Sequence, residues 1–71
     1  AVDQALAANN AQGLAAAAHA IKGAALNLSA NRLAVVAGAL ETIGHHGELD
    51  DAPPFVASLH REVEQFLDQL T

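Results

Sequence analysis

The chain has 71 residues, enough for one small domain with a single core. Eight acidic residues stand against three basic ones, and this net charge of −5 argues against a nucleic-acid partner, whose phosphates need clustered Lys and Arg. The absence of cysteine excludes disulfides and thiolate metal sites. Apolar residues make up 52% of the chain but only two residues are aromatic, so the alanine-rich composition favours closely packed helices over a sheet.

Neither a membrane span nor a signal peptide is predicted. The sequence contains no uninterrupted run of about 18 apolar residues, and its first residues show no basic region followed by an apolar one. We therefore expect a cytoplasmic segment without membrane contact. Because Ala1 is not an initiator methionine and the chain opens inside a helical pattern, we also expect a fragment of a larger protein.

Helical spacing predicts four segments within one domain, residues 1–71. The first is short, at residues 1–8, and ends where Asn9 and Asn10 interrupt the pattern, since Asn favours caps and turns. The second runs from about residue 11 to residue 28. The third follows the capping residues 29–31 and ends in the glycine-flanked residues 44–47, where His45 and His46 are expected in a turn. The fourth begins at the acidic and proline-containing residues 50–54.

Each long segment carries one apolar stripe at steps of three and four residues. The stripes are Leu14, Ala18, Ile21, Ala25 and Leu28, then Leu33, Val36, Ala37, Leu40 and Ile43, then Phe55, Leu59, Val63, Phe66 and Leu70. Short connections predict an all-α, antiparallel up-down four-helix bundle whose first helix is short or truncated. Because that helix cannot cover a whole side of the bundle, we expect either a missing upstream helical stretch or a second protomer in a homodimer.

The second segment carries the most distinctive residues, His19, Lys22 and Gly23, which share one face of a helix. Ile21 lies about 200° around the helix from His19, so a buried Ile21 places His19 towards solvent. A neutral imidazole is a nucleophile near pH 7, and a cation one turn away can stabilise a phosphoryl group bound to it. By spacing alone, an ordinary surface histidine remains the alternative.

The run of residues 18–25, AHAIKGAA, closely resembles the signature of histidine-containing phosphotransfer (HPt) domains, and the similarity continues through residues 26–33 and Leu40-Glu41. These domains are four-helix bundles that pass a phosphoryl group between receiver-domain aspartates in two-component phosphorelays. The resemblance implies that His19 is the phosphoacceptor, at Nε2, that Lys22 stabilises the phosphoryl group and that Gly23 leaves room for the receiver. The family often has glycine where this chain has Ser29, and we expect serine to cap the helix there instead.

The resemblance also implies the partners, namely response-regulator receiver domains and a parent hybrid sensor kinase. Mg²⁺ is expected on the receiver, so that this chain needs no cofactor or metal of its own. No glycine-rich nucleotide loop is present, and we expect a phosphocarrier without kinase activity. Small residues near His19 predict a flat docking face to which Leu26 adds an apolar patch, and packing of Leu26 against a neighbouring helix is the alternative. Its members outside the histidine motif are Gln12, Ala15, Ala16 and Leu26.

Two other classes of helical protein compete with this interpretation. A kinase dimerisation bundle also carries a phosphoacceptor histidine, but one followed by an acid and soon by a proline, whereas Ala20 follows His19. A helical interaction module without chemistry remains the alternative function. The residues Glu41, His45 and His46 do not supply the converging ligands of a metal site, and His60 is expected at a boundary or exposed position.

Overall fold

The protein forms an antiparallel up-down four-helix bundle in a computed structural model that describes residues 2–70. The helices are α1 (Val2–Ala7), α2 (Ala11–Asn27), α3 (Asn31–His46) and α4 (Ala52–Leu70), and a single 3-10 turn (Leu49–Asp51) precedes α4. Its overall dimensions are 35 × 18 × 16 Å. The predicted fold class is confirmed, and so is the short first helix. Ala1, which the predicted first helix includes, lies outside the described residues. Within residues 2–70, no helix is both long and apolar enough to cross a membrane.

Three connections between helices use the same hydrogen-bonded turn, in which one residue adopts the left-handed conformation. That residue is Asn9 after α1, Ser29 after α2 and Gly47 after α3, with φ of 56°, 58° and 71°. The next residue donates its N–H back to a carbonyl of the last helical turn: Asn10 to Ala5 at 2.8 Å, Ala30 to Ala25 at 2.8 Å and Glu48 to Ile43 at 3.1 Å. These tight turns reverse the chain and make sequential helices antiparallel neighbours.

The residues around the α2–α3 turn do not cap α3 as the sequence suggested. Ala30 occupies the N-cap position and no side chain caps the helix, whereas Ser29 takes the left-handed position of the preceding turn. The cap that residues 29–31 were expected to offer α3 is therefore wrong, whereas Ser29 does close α2, at the helix end where it was expected. At the start of α2 the cap is present, since the Asn10 side chain accepts a hydrogen bond from the Gly13 N–H at 3.0 Å.

The core is small and built mainly from alanine and leucine. Its fully buried side chains include Leu14 and Ala18 of α2 and Ala37 and Leu40 of α3. The two helices α2 and α3 approach each other closely at Gly44, where a Cβ would lie 2.7 Å from the Ala15 backbone nitrogen. Only a residue without a side chain fits there, so Gly44 fixes the register of the two helices. Gly47, rather than Gly44, ends α3.

Three residues of the predicted apolar stripes are exposed. Leu28, Phe55 and Leu70 have 60%, 39% and 67% of their surface accessible. Leu28 lies beyond the end of α2, where the chain already turns, and Leu70 lies in the last turn of α4, past most of the core contacts. At the start of α4, Ala52 and Val56 are buried in place of Phe55, because the buried face of the helix is shifted by one residue from the predicted stripe.

The short α1 packs against α2 and α4 through Val2 and Ala5, which are buried. His60 of α4 lies 3.1 Å from the Asp3 carboxylate of α1, and both side chains are largely exposed. Beyond α1, several apolar side chains remain exposed at the end of the bundle where α2 and α4 finish, among them Leu26, Leu28, Leu67 and Leu70. The expected upstream stretch or second protomer stays a prediction for that end.

Candidate functional site

The His19 side chain projects from the middle of α2 into solvent. It is 70% exposed, while Leu14, Ala18 and Ala25 of the same helix are buried and Ile21 packs against the core. The helical spacing therefore predicted the orientation of His19 correctly. An exposed imidazole in the middle of a helix is accessible to another protein and is held by a rigid backbone.

Glu41 of α3 faces His19 across the interface between the two helices. The Oε2 atom of Glu41 lies 2.9 Å from Nδ1 of His19, and the Glu41 side chain is only 16% exposed. An ionised carboxylate can only accept a hydrogen bond, so this contact requires the hydrogen of His19 on Nδ1. The lone pair is then left on Nε2, the nitrogen on the opposite side of the ring.

Lys22 binds the other oxygen of the same carboxylate, with its Nζ 2.7 Å from Oε1 of Glu41. The hydrogen bond from Lys22 is the main cause that lowers the pKa of Glu41 below its ordinary value of 4.5. Partial burial opposes that effect, and the contact with His19 lowers the pKa further. Glu41 is therefore ionised at neutral pH and links the two residues that the sequence placed in one motif.

Sequence reasoning missed the role of Glu41. It noted this residue only near the end of the third helix and as a neighbour of His45 in a weak metal site. One signal was available: Glu41 is the only acidic residue in α3, and it directly follows Leu40, which is fully buried. An acid beside a core residue is held close to the helix interface, where it needs a partner.

The glycines near His19 differ in what surrounds them. Beyond the neighbouring backbone of its own helix, a Cβ added to Gly23 would meet no atom within 4 Å, so packing inside the domain does not require glycine there. At Gly38 of α3 a Cβ would make only an ordinary contact with the Lys22 side chain at 3.5 Å. Gly23 thus leaves open space on the solvent side of the helix, one turn from His19.

A shallow groove of about 450 Å³ runs beside His19 along the interface of α2 and α3. Its lining residues are Gln12, Ala15, Ala16, His19, Glu41, Gly44 and His45. Ala15 is buried against Gly44 and belongs to the floor of the groove, whereas Ala16 and Gln12 are exposed. Leu26 does not line the groove, and its 59% exposure argues against the alternative that it packs on a neighbouring helix. The structure thus places three of the four predicted docking residues in one groove with His19.

The remaining histidines occupy different environments. His45 and His46 belong to the last turn of α3, so their expected place in a non-helical turn is wrong; the helix continues through Gly44 to reach Gly47. Nε2 of His45 lies 3.6 Å from Oε2 of Glu41. Among residues 2–70, no three histidine or acidic side chains converge in an arrangement that could hold a metal ion. His60 is exposed, as expected.

Comparisons with known proteins agree with this geometry. The model of the Hpt domain family matches residues 1–70, nearly the whole chain. Comparisons with curated proteins and with solved structures found no match. The family match, the helical bundle and an exposed histidine on its second helix all support one assignment. The chain therefore belongs to the Hpt domain family, whose function is histidine phosphotransfer in two-component phosphorelays.

Proposed function

We propose that this chain is a phosphocarrier in which Nε2 of His19 receives a phosphoryl group from a receiver-domain aspartate and later returns it to another. The observation that supports the proposal most directly is the 2.9 Å contact between Nδ1 of His19 and Oε2 of Glu41. This contact leaves the lone pair on Nε2, and because the His19 side chain is 70% exposed a partner can reach it. The chain carries the group and has no kinase activity of its own.

The transfer needs no proton to move at this site. The lone pair of Nε2 attacks the phosphorus of the aspartyl phosphate, a new N–P bond forms, and the bond from phosphorus to the aspartate oxygen breaks to release a carboxylate. The imidazole keeps its hydrogen on Nδ1 and becomes positively charged. Glu41, at 2.9 Å, stabilises that charge, so the carboxylate both orients the ring and compensates the product. Mg²⁺ is held by the acids of the receiver and not by this chain.

Lys22 has two roles in this proposal. In the resting protein it binds Oε1 of Glu41 at 2.7 Å and holds the carboxylate in place. Its side chain is 34% exposed and lies one helical turn from His19, so it also supplies positive charge near an incoming phosphoryl group. Gly23 keeps the adjoining surface open for the receiver.

The docking surface extends on both sides of His19. Gln12 and Ala16 border the groove, Ala15 forms its floor, and exposed Leu26 provides an apolar contact towards the other end of α2. Small side chains close to His19 allow a receiver to bring its aspartate within reach of Nε2. We expect Ala16→Glu to slow transfer from a receiver on the order of tenfold, because a bulky charge would stand in the approach path.

The receivers act together with a parent hybrid sensor kinase in the cytoplasm.

The test is a transfer assay with receiver domains that have been phosphorylated by acetyl phosphate in the presence of Mg²⁺. Wild type, His19→Gln and His46→Gln are incubated with each receiver, and acid-labile phosphate on this chain is measured. We expect label on wild type and on His46→Gln, the matched control, and none on His19→Gln. Label on all three, or on none of them with any receiver, favours the alternative of an interaction module without phosphotransfer.

A further inference from the structure

Lys22 reaches Glu41 by crossing the surface of α3 at Gly38. A Cβ at Gly38 would lie 3.5 Å from Cδ of Lys22, which is van der Waals contact. Further along the same side chain, Nζ lies 2.7 Å from Oε1 of Glu41. Gly38 and Glu41 are three residues apart in α3 and therefore share one face of that helix. The aliphatic stem of the lysine thus lies over Gly38, and its charged end lies on Glu41 one turn further along.

The exposure of Lys22 agrees with this course. Its side chain is only 34% exposed, although it belongs to the type of residue that is most often left in water. A lysine can lay its methylene groups along a protein surface while its ammonium group keeps a polar partner. Here α3 supplies both, since the surface is the bare backbone at Gly38 and the partner is the Glu41 carboxylate.

Neither backbone conformation nor helix packing explains the glycine at position 38. Its φ is not among the positive values, which within residues 2–70 belong to the three turns between helices. Unlike Gly44, it does not lie against the backbone of α2. Glycine is also less favourable than alanine in the interior of a helix. Among the described residues, the atom outside α3 that a Cβ at this position would meet belongs to the Lys22 stem.

We propose that Gly38 is a positioning residue of the phosphoacceptor site, which keeps open the path along which Lys22 reaches Glu41. The proposal rests on the proposed function, because Lys22 and Glu41 act there on His19. Alanine ends at the Cβ, in contact with the stem, and leaves the path open. Valine adds two methyl groups, which in a helix fill both directions that a side chain ordinarily takes, so no rotation about χ1 clears the path. In Gly38→Val the ammonium group therefore leaves Glu41 and extends into solvent.

The first experiment compares wild type with Gly38→Ala, Gly38→Val and Lys22→Ala. The side-chain carboxyl carbon of Glu41 is titrated by NMR, because the hydrogen bond from Lys22 is the main cause that lowers the pKa of Glu41. We expect the titration midpoint to rise in Gly38→Val and in Lys22→Ala and to keep its wild-type value in Gly38→Ala, the matched control. Position 38 is only partly buried and faces a flexible side chain, so valine leaves the core intact. Equal midpoints in Gly38→Val and Gly38→Ala would overturn the proposal.

A second experiment connects this path to reactivity. The rate of phosphoryl transfer from a receiver to His19 is measured for the same proteins and for the double variant Gly38→Val/Lys22→Ala. We expect Gly38→Val and Lys22→Ala each to slow transfer by about tenfold, the loss of one charge-assisted contact, and Gly38→Ala to transfer at the wild-type rate. In the double variant valine should cause no further loss, since no lysine stem remains to be displaced.

Other results separate the two claims. Equal slowing by valine with and without the lysine would show that it obstructs the receiver directly, and would overturn the role assigned to Gly38. If no protein accepts phosphate from any receiver, the proposed function fails. The titration of Glu41 still decides whether Gly38 positions Lys22.

Discussion

Substitution of glycine by alanine is expected to change the stability of the protein in opposite directions at two glycines of the site. Gly23 of α2 is exposed, and an added Cβ would meet nothing within 4 Å. Gly44 of α3 is buried, and the added Cβ would lie 2.7 Å from the backbone nitrogen and 2.9 Å from the Cα of Ala15. Both residues lie inside helices, so the intrinsic gain in helix propensity is the same in the two variants.

The expected magnitudes follow from these contacts. Replacement of glycine by alanine in an open helical position stabilises the fold by about 1 kcal/mol, and Gly23→Ala should show that full gain. At Gly44 the cost of the steric clash exceeds this gain. The added Cβ meets backbone atoms, which cannot rotate away as a side chain does, so α2 must move away from α3. Overpacking of this kind costs about 1–3 kcal/mol in well-packed cores. Since helix separation also loosens the contacts of fully buried Leu14 and Leu40, we expect Gly44→Ala to be destabilised by about 1–2 kcal/mol net.

Thermal and urea unfolding, followed by circular dichroism at 222 nm, measures both effects; the chain contains no Trp or Tyr for fluorescence. A difference of 1 kcal/mol moves the midpoint of a domain of this size by about 4–8 °C. Gly23→Ala should therefore melt higher than wild type and Gly44→Ala lower. Because Gly23 is proposed to admit the receiver, Gly23→Ala should also accept phosphate more slowly despite its greater stability. Stability changes of the same sign in both variants would refute the assigned helix register.

Three further predictions concern the turn after α2, the carboxylate and the α1 contact. Ser29→Gly should stabilise the protein by up to about 1 kcal/mol in urea unfolding, because Ser29 has φ of 58° and glycine adopts that conformation without strain; a loss of stability would contradict this explanation. The lowered pKa of Glu41 means that its contribution to stability is present above the ordinary value of 4.5 and is lost as the pH falls through the folded-state pKa. The stability difference between wild type and Glu41→Gln should therefore shrink as the pH falls below 4.5, and a constant difference would show that Glu41 is not ionised in its contacts. Asp3→Asn should change the free energy of unfolding by less than about 0.5 kcal/mol, since its contact with His60 is exposed, and a larger loss would show that α1 depends on this pair.

Much of the fold could be predicted because helical periodicity is a local property. The steps of three and four residues placed Leu14, Ala18 and Leu40 in the core and turned His19 towards solvent, and the structure agrees. The same pattern misplaced Leu28 and Leu70. Periodicity identifies a face of a helix but does not show how far the neighbouring helices extend along it.

The contact between His19 and Glu41 was not predicted, because it depends on information that no local sequence pattern contains. His19 and Glu41 are 22 residues apart, and their contact requires the register of α2 against α3. That register is set where Gly44 packs on the backbone of Ala15, a contact that becomes visible only in three dimensions. The wrong prediction of a turn at His45 has the same cause, since the sequence alone does not show why each of the glycines around His45 is present. Only Gly47 needs the left-handed conformation, whereas Gly44 is required for close packing inside the helix.

The most direct test of the central claim is to determine which ring nitrogen carries the phosphoryl group. The protein is labelled with ¹⁵N, phosphorylated by a phosphorylated receiver, and studied by NMR of the histidine nitrogens and of phosphorus. We predict a single phosphohistidine, at Nε2 of His19, with the hydrogen retained on Nδ1 in contact with Glu41. Phosphate on Nδ1 of His19, or on one of the other three histidines, would contradict the role assigned to the Glu41 carboxylate.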